Sequence, residues 1–98
     1  MISYTEFEAN KWIKTGSHEW TRLGVTVVID VTHYHIKFRY DSPSYCYYSL
    51  YKSIYDTTMS ELIEAIKYGI NFIITHKSHN KRLIPKYKRT LNNWMYVN

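Results

Sequence analysis

The sequence predicts an α+β domain: a three-stranded antiparallel meander, with an N-terminal helix and a longer helix packed on one face and a basic C-terminal segment. Three observations carry this reading. Apolar residues alternate with polar ones from Val25 to Tyr40. They recur at helical spacing from Met59 to Ile74. Asp41-Ser42-Pro43-Ser44 supplies turn chemistry between two of the strands. At 98 residues, 45% hydrophobic and 21% charged, the chain reads as one domain over residues 1–98, able to bury one core.

Each element has its own justification. Thr5-Glu6-Phe7-Glu8 fits a capping box, and Ala9, Trp12 and Ile13 follow at helical spacing until Gly16. The expected first helix is 6–15. Val25, Val27, Ile29 and Val31 then alternate along a strand expected over 22–30. Tyr34, Ile36, Phe38 and Tyr40 do so along a second over 33–41. The apolar set moves from odd to even numbers between them, so a tight turn is expected near Val31–His33. The third strand is expected over 45–54, with Cys46, Tyr48, Leu50, Lys52 and Ile54 toward the core and Tyr45, Tyr47, Ser49, Tyr51 and Ser53 on the other side.

Thr58-Met59-Ser60-Glu61 is a second capping box, opening a helix expected over 58–75. Its apolar stripe is Met59, Leu62, Ile63, Ile66, Ile70, Ile73 and Ile74. Gly69 either ends the helix and releases residues 70–75 as a fourth strand or lies inside it at a cost of about 1 kcal/mol, and the stripe that continues past it favours the helix. Residues 76–89 form a basic segment, read as a loop or edge because Pro85 interrupts helix formation. A docked C-terminal element over 90–97 follows, carrying Leu91, Trp94, Met95 and Val97.

Charge is segregated along the chain. Residues 1–64 hold six Lys/Arg and eight Asp/Glu, a net of −2; residues 65–98 hold seven Lys/Arg and no acidic residue, a net of +7. Such a field favours an anionic partner. The single cysteine, Cys46, excludes an internal disulfide and suits a reducing compartment. No leader pattern or membrane-length apolar run is apparent, so the expected location is the cytoplasm, a host's if the gene belongs to a phage. Abundant Ile, Lys, Asn and Tyr beside scarce Ala and Gly are the mark of an AT-rich genome, such as that of a phage or mobile element.

Two groups of side chains are candidate binding residues. One is a strand face of His33, His35, Lys37 and Arg39, joined by Tyr45, Tyr47 and Tyr51 of the next strand. Cations interleaved with aromatics suit base stacking beside phosphates, and they equally suit a protein interface. The other is the basic segment: His76, Lys77, His79, Lys81, Arg82, Lys86, Tyr87, Lys88 and Arg89. The pairs His33/His35 and His76/His79 lack the further ligands that zinc requires, so no metal and no cofactor is expected. With three glycines there is no phosphate loop, and the acidic residues fall at caps and turns, so no catalytic residue is assigned.

The sequence therefore reads as a small non-catalytic binding protein of phage or mobile-element origin. It would dock on and inhibit a host nucleic-acid-processing or defence complex, a role akin to that of anti-CRISPR proteins. Its partner would be a host protein or ribonucleoprotein, with no membrane involved. The alternative is direct binding of RNA or single-stranded DNA through the basic segment and the tyrosine-rich face. A small metal-free ribonuclease using His33, His35, Lys37 and Arg39 ranks third.

Overall fold

The computed structural model describes residues 1–39, 46–77 and 84–98. Its helices are α1 (Tyr4–Ala9), α2 (Met59–Phe72) and α3 (Ile84–Met95); its strands are β1 (Ile13–Gly16), β2 (Glu19–Arg22), β3 (Val25–Ile29), β4 (His33–Arg39) and β5 (Cys46–Ser53). The class is α+β, but the expected three-stranded sheet is corrected to five antiparallel strands in the order β1-β2-β3-β4-β5, with three helices.

The additional strands come from the end of the expected first helix and from the stretch between it and the strand expected over 22–30. Helix α1 starts two residues earlier than a cap at Thr5 implies. Ser3 is the N-cap, its Oγ accepting from the Glu6 N–H at 3.1 Å. The helix then stops at Ala9, because Lys11 adopts φ 64°. The Trp12 N–H donates to the Phe7 carbonyl and the Lys11 N–H to the Glu8 carbonyl, the two bonds of a Schellman motif. Its hydrophobic contact is the edge-to-face pair Phe7–Trp12, with centroids 5.7 Å apart. The chain thus leaves the helix in time to form β1 and β2. Leu23 (φ 46°) and Gly24 (φ 80°) make the two-residue β2–β3 turn, both with the positive φ that a twist-matched hairpin uses.

Strand pairing continues through a turn at Val31–Thr32, where the Asp30 N–H donates to the His33 carbonyl at 2.8 Å. Register then runs from His33 opposite Ser53 to Phe38 opposite Tyr48, with a shift between Phe38 and Arg39. Tyr40 and the turn residues Asp41, Ser42, Pro43 and Ser44 lie outside the described residues.

One face of the sheet receives the helices. Trp20, Val25, Val27, Tyr34, Ile36 and Phe38 are buried on it. Phe7 of α1 stacks on Trp20 at 5.0 Å and 5°. Trp94 of α3 lies 5.8 Å from Trp12 and donates its Nε1–H to the Leu23 carbonyl at 3.1 Å. Thr58 caps α2 as the sequence implied, accepting from the Glu61 N–H at 3.2 Å. Gly69 has a packing reason: a Cβ there would sit 2.3 Å from Phe38 Cζ and 3.0 Å from Leu50 Cδ1. Only a bare backbone lets α2 approach β4 and β5 this closely. A π-helical turn, Ile73–Lys77, extends α2, so residues 70–75 are helical.

The basic segment is also revised. Its second half is not loop or edge but the start of α3, and the docked element over 90–97 is that helix's C-terminal half. Pro85 sits in the first turn, where its missing N–H costs nothing and its fixed φ suits the helix. Tyr87, Leu91 and Trp94, at i, i+4 and i+7, turn one face inward. Among the described residues, no helix is long and apolar enough to cross a membrane.

Candidate binding surface

Period-two alternation turns one set of β-strand side chains away from the helices. The set comprises Ile13 and Thr15 of β1; Glu19 and Thr21 of β2; Thr26 and Val28 of β3; His33, His35 and Lys37 of β4; and Ser49, Tyr51 and Ser53 of β5. No described helix packs on this side.

His35 and Tyr51 are directly opposite one another. The Ile54 N–H donates to the Thr32 carbonyl at 3.0 Å, which phases the ladder and makes His35/Tyr51 a non-hydrogen-bonded pair. Side chains come closest at such pairs. The two rings accordingly stack at 4.3 Å and 11°, and the His33 ring meets Tyr51 edge-on at 6.3 Å and 87°. Tyr51 is 58% exposed even so. The Thr32 hydroxyl and His33 Nδ1 are 2.7 Å apart, which fixes the ring's orientation. Lys37 is half-buried one step further along, opposite Ser49 and Thr26.

A polar ladder crosses the same face. Thr15 donates to Glu19 Oε2 at 2.8 Å, and the Thr15–Thr21 and Thr21–Thr26 oxygens are 3.1 and 3.2 Å apart. Each hydroxyl has one proton. Since Thr15 spends its own on Glu19, Thr21 donates to Thr15 and Thr26 to Thr21. The chain is polarised toward the carboxylate, and Thr26 is 6% exposed within it.

The second candidate group lies on the other side of the sheet. Lys88 and Arg89 are exposed on α3, and Lys86 is half-buried there. Tyr87 is a core residue, 4% exposed, and so is no part of a surface. His76 is exposed on the π-helical turn and caps a run of near-parallel rings: Phe38–Tyr48 at 5.9 Å, Tyr48–Phe72 at 5.1 Å and Phe72–His76 at 4.5 Å. Arg39 and Tyr47 lie on β4 and β5 and Lys77 in the π-helical turn, their side chains outside the described set. Tyr45, His79, Lys81 and Arg82 fall outside the described residues. The fold therefore gathers His33, His35, Lys37 and Tyr51 on one face and places Lys88, Arg89 and His76 on the helical layer.

Sequence reasoning missed the threonine ladder, because Thr15 and Thr21 had no strands to sit on. It also missed Arg22, whose Nη1 donates to the Asn10 carbonyl at 2.6 Å and whose guanidinium lies 5.6 Å over the Trp94 ring. Burial lowers the pKa of that guanidinium. Among the described residues no three His, Cys, Asp or Glu side chains converge as metal ligands. Compared with protein-family models, curated proteins and solved structures, the chain matches none.

Proposed function

We propose that this is a non-catalytic binding protein that uses the uncovered sheet face to dock on a protein or ribonucleoprotein complex. The observation that carries the reading is the stacked His35–Tyr51 pair, flanked by His33 and Lys37, with Tyr51 left open to solvent. A large, half-exposed aromatic held in one orientation loses little entropy on binding, which is how interface hot spots work. The origin and target proposed with it are a phage or mobile element acting in the host cytoplasm against a nucleic-acid-processing or defence complex. They rest on composition and charge, not on this geometry. The test is affinity capture from lysates of candidate hosts, comparing the native chain with His35→Ala and Tyr51→Ala. Loss of a stoichiometric partner in both variants supports the reading, and capture unaffected by either sinks it.

A second reading, direct binding of RNA or single-stranded DNA, is favoured by the exposed Lys88 and Arg89 and by the ring run ending at His76. Phosphate pairing predicts a steep loss of affinity with rising salt. Titration of generic RNA and DNA strands at two salt concentrations, with Lys88→Ala/Arg89→Ala as control, decides it.

A further inference from the structure

We propose that the free edge of β5, together with the groove it forms with α2, takes up an extended peptide segment carrying a cationic side chain. The site meets the sheet-face patch at Tyr51 but uses none of His33, His35 and Lys37, so it stands or falls independently of docking through those three.

The backbone phase comes first. The bond from the Ile54 N–H to the Thr32 carbonyl directs the N–H and C=O groups of Leu50 and Lys52 toward β4. By the same alternation, those of Ser49, Tyr51 and Ser53 point away from the sheet. β5 is the terminal strand, and no described strand lies beyond it. Proteins blunt such an edge or use it, because a row of unpaired amides and carbonyls templates another strand.

The groove beside it is the second observation. It has a volume of about 470 Å³ and lies between β5 and α2, with Leu50 and Tyr51 on the strand and Glu61, Glu64, Ala65 and Tyr68 on the helix. Ala65 keeps the helical wall low, while Tyr68, 61% exposed, stands at one end. An added strand would alternate its side chains between the α2 side and the open sheet face. One turned toward α2 meets two exposed carboxylates and a tyrosine ring, the chemistry that holds an arginine or lysine. Its chain neighbour packs beside the outer edge of the Tyr51 ring, a side chain that the groove shares with the sheet face. Glu64, 72% exposed, is engaged at 3.5 Å by the largely buried Lys67, a long contact that a better-placed cation displaces at little cost. Glu61 bonds Thr58 at 3.0 Å and keeps its second oxygen for a ligand. Lys52, also lining the groove, repels a cation at that end and so biases its position toward Glu64 and Tyr68.

Charge also selects against a second copy as occupant. Edge-to-edge pairing of two β5 strands would gather the Glu61 and Glu64 carboxylates of both copies along one seam, like charge toward like.

The test uses the full chain and short labelled peptides of alternating Thr and Val, with a central Arg, Gln or Glu. Binding is read by fluorescence anisotropy, and amide hydrogen exchange is followed at Tyr51 and Ser53. The expected result is that the Arg peptide binds at least about tenfold more tightly than the Glu peptide and slows exchange at both amides. Glu64→Lys, an exposed change that leaves the core untouched, should abolish the preference, and His35→Ala should leave it intact. Equal affinity for all three peptides, or exchange at Tyr51 unchanged at saturating peptide, overturns the proposal. So does self-association of the free protein through β5, seen by sedimentation as a dimer that Glu64→Lys strengthens. Loss of host-complex capture in His35→Ala with peptide binding retained would implicate the sheet face alone, so the two proposals fail separately.

Discussion

Neighbouring residues of the same strands do opposite work in this molecule. On β4, Tyr34, Ile36 and Phe38 are 0–1% exposed against the helices, while His33, His35 and Lys37 face the other way. On β2, Trp20 stacks on Phe7, while the adjacent Thr21 joins a hydroxyl ladder that ends on a carboxylate. The core face is fixed by volume and the open face by hydrogen bonds and ring stacking. Perturbing the first should cost stability, and perturbing the second should cost recognition while the fold survives. A rigid core face is what makes the open face a preorganised one.

The comparison breaks most visibly at Trp20. Trp20→Ala removes the ring that stacks on Phe7 and should cost about 3–5 kcal/mol, read by urea unfolding. If the loss is small, the two faces are not so different in energetic weight. Gly69→Ala should follow at about 1–3 kcal/mol, because the new methyl collides with Phe38 and pushes α2 off the sheet. That loss runs against helix propensity, which favours alanine, so its sign separates packing from propensity.

Tyr34 offers a pH-dependent probe of the core face. Burial raises its pKa above 10.0, the Ile2 N–H bond to its oxygen partly opposes this, and Glu6 raises it further. A phenol whose folded pKa is raised contributes stability that is whole below the unfolded value and is lost as pH rises through the folded one. Unfolding followed between about pH 8 and pH 11 should therefore show a decline that is shallower in Tyr34→Phe. An identical decline in both proteins would assign the slope to other groups.

The smallest stability effects belong to the open face. Thr26→Val breaks the ladder at its buried end and should cost about 1 kcal/mol. His35→Ala and Tyr51→Ala should each change unfolding by less than about 1 kcal/mol. Circular dichroism on all three variants would sharpen the contrast, since a collapse of the fold in Tyr51→Ala would make the stack structural.

The sequence disclosed this division of faces only where strands are long and strictly alternating. The parity of Tyr34, Ile36 and Phe38 puts His33, His35 and Lys37 together without any structure, and the α2 stripe is equally plain. The first two strands were hidden because the residue that ends α1 is Lys11, which nothing marks as left-handed, and because Ile13–Gly16 shows no apolar alternation. Ser3-Tyr4-Thr5-Glu6 is as good a capping box as Thr5-Glu6-Phe7-Glu8, and it moves the start of the helix two residues earlier. Helix α3 was masked by its own charge. Tyr87, Leu91 and Trp94 keep helical spacing through the basic run, but a proline there signals a helix break as readily as a first turn. The β5–α2 groove needed the tertiary approach that Gly69 permits, which no local pattern encodes.

The indole cluster has a practical consequence. All three tryptophans of the chain are buried, and each touches the corner where α1, β2 and α3 meet. Indole emission from this protein is therefore a local gauge: it reports whether Trp94 has closed over Trp12 and the Leu23 carbonyl, 71 residues away in sequence. It is blind to the open sheet face. A ligand arriving at Tyr51 should leave the tryptophan spectrum unchanged and disturb tyrosine signals, so one fluorometer distinguishes docking from unfolding without any label.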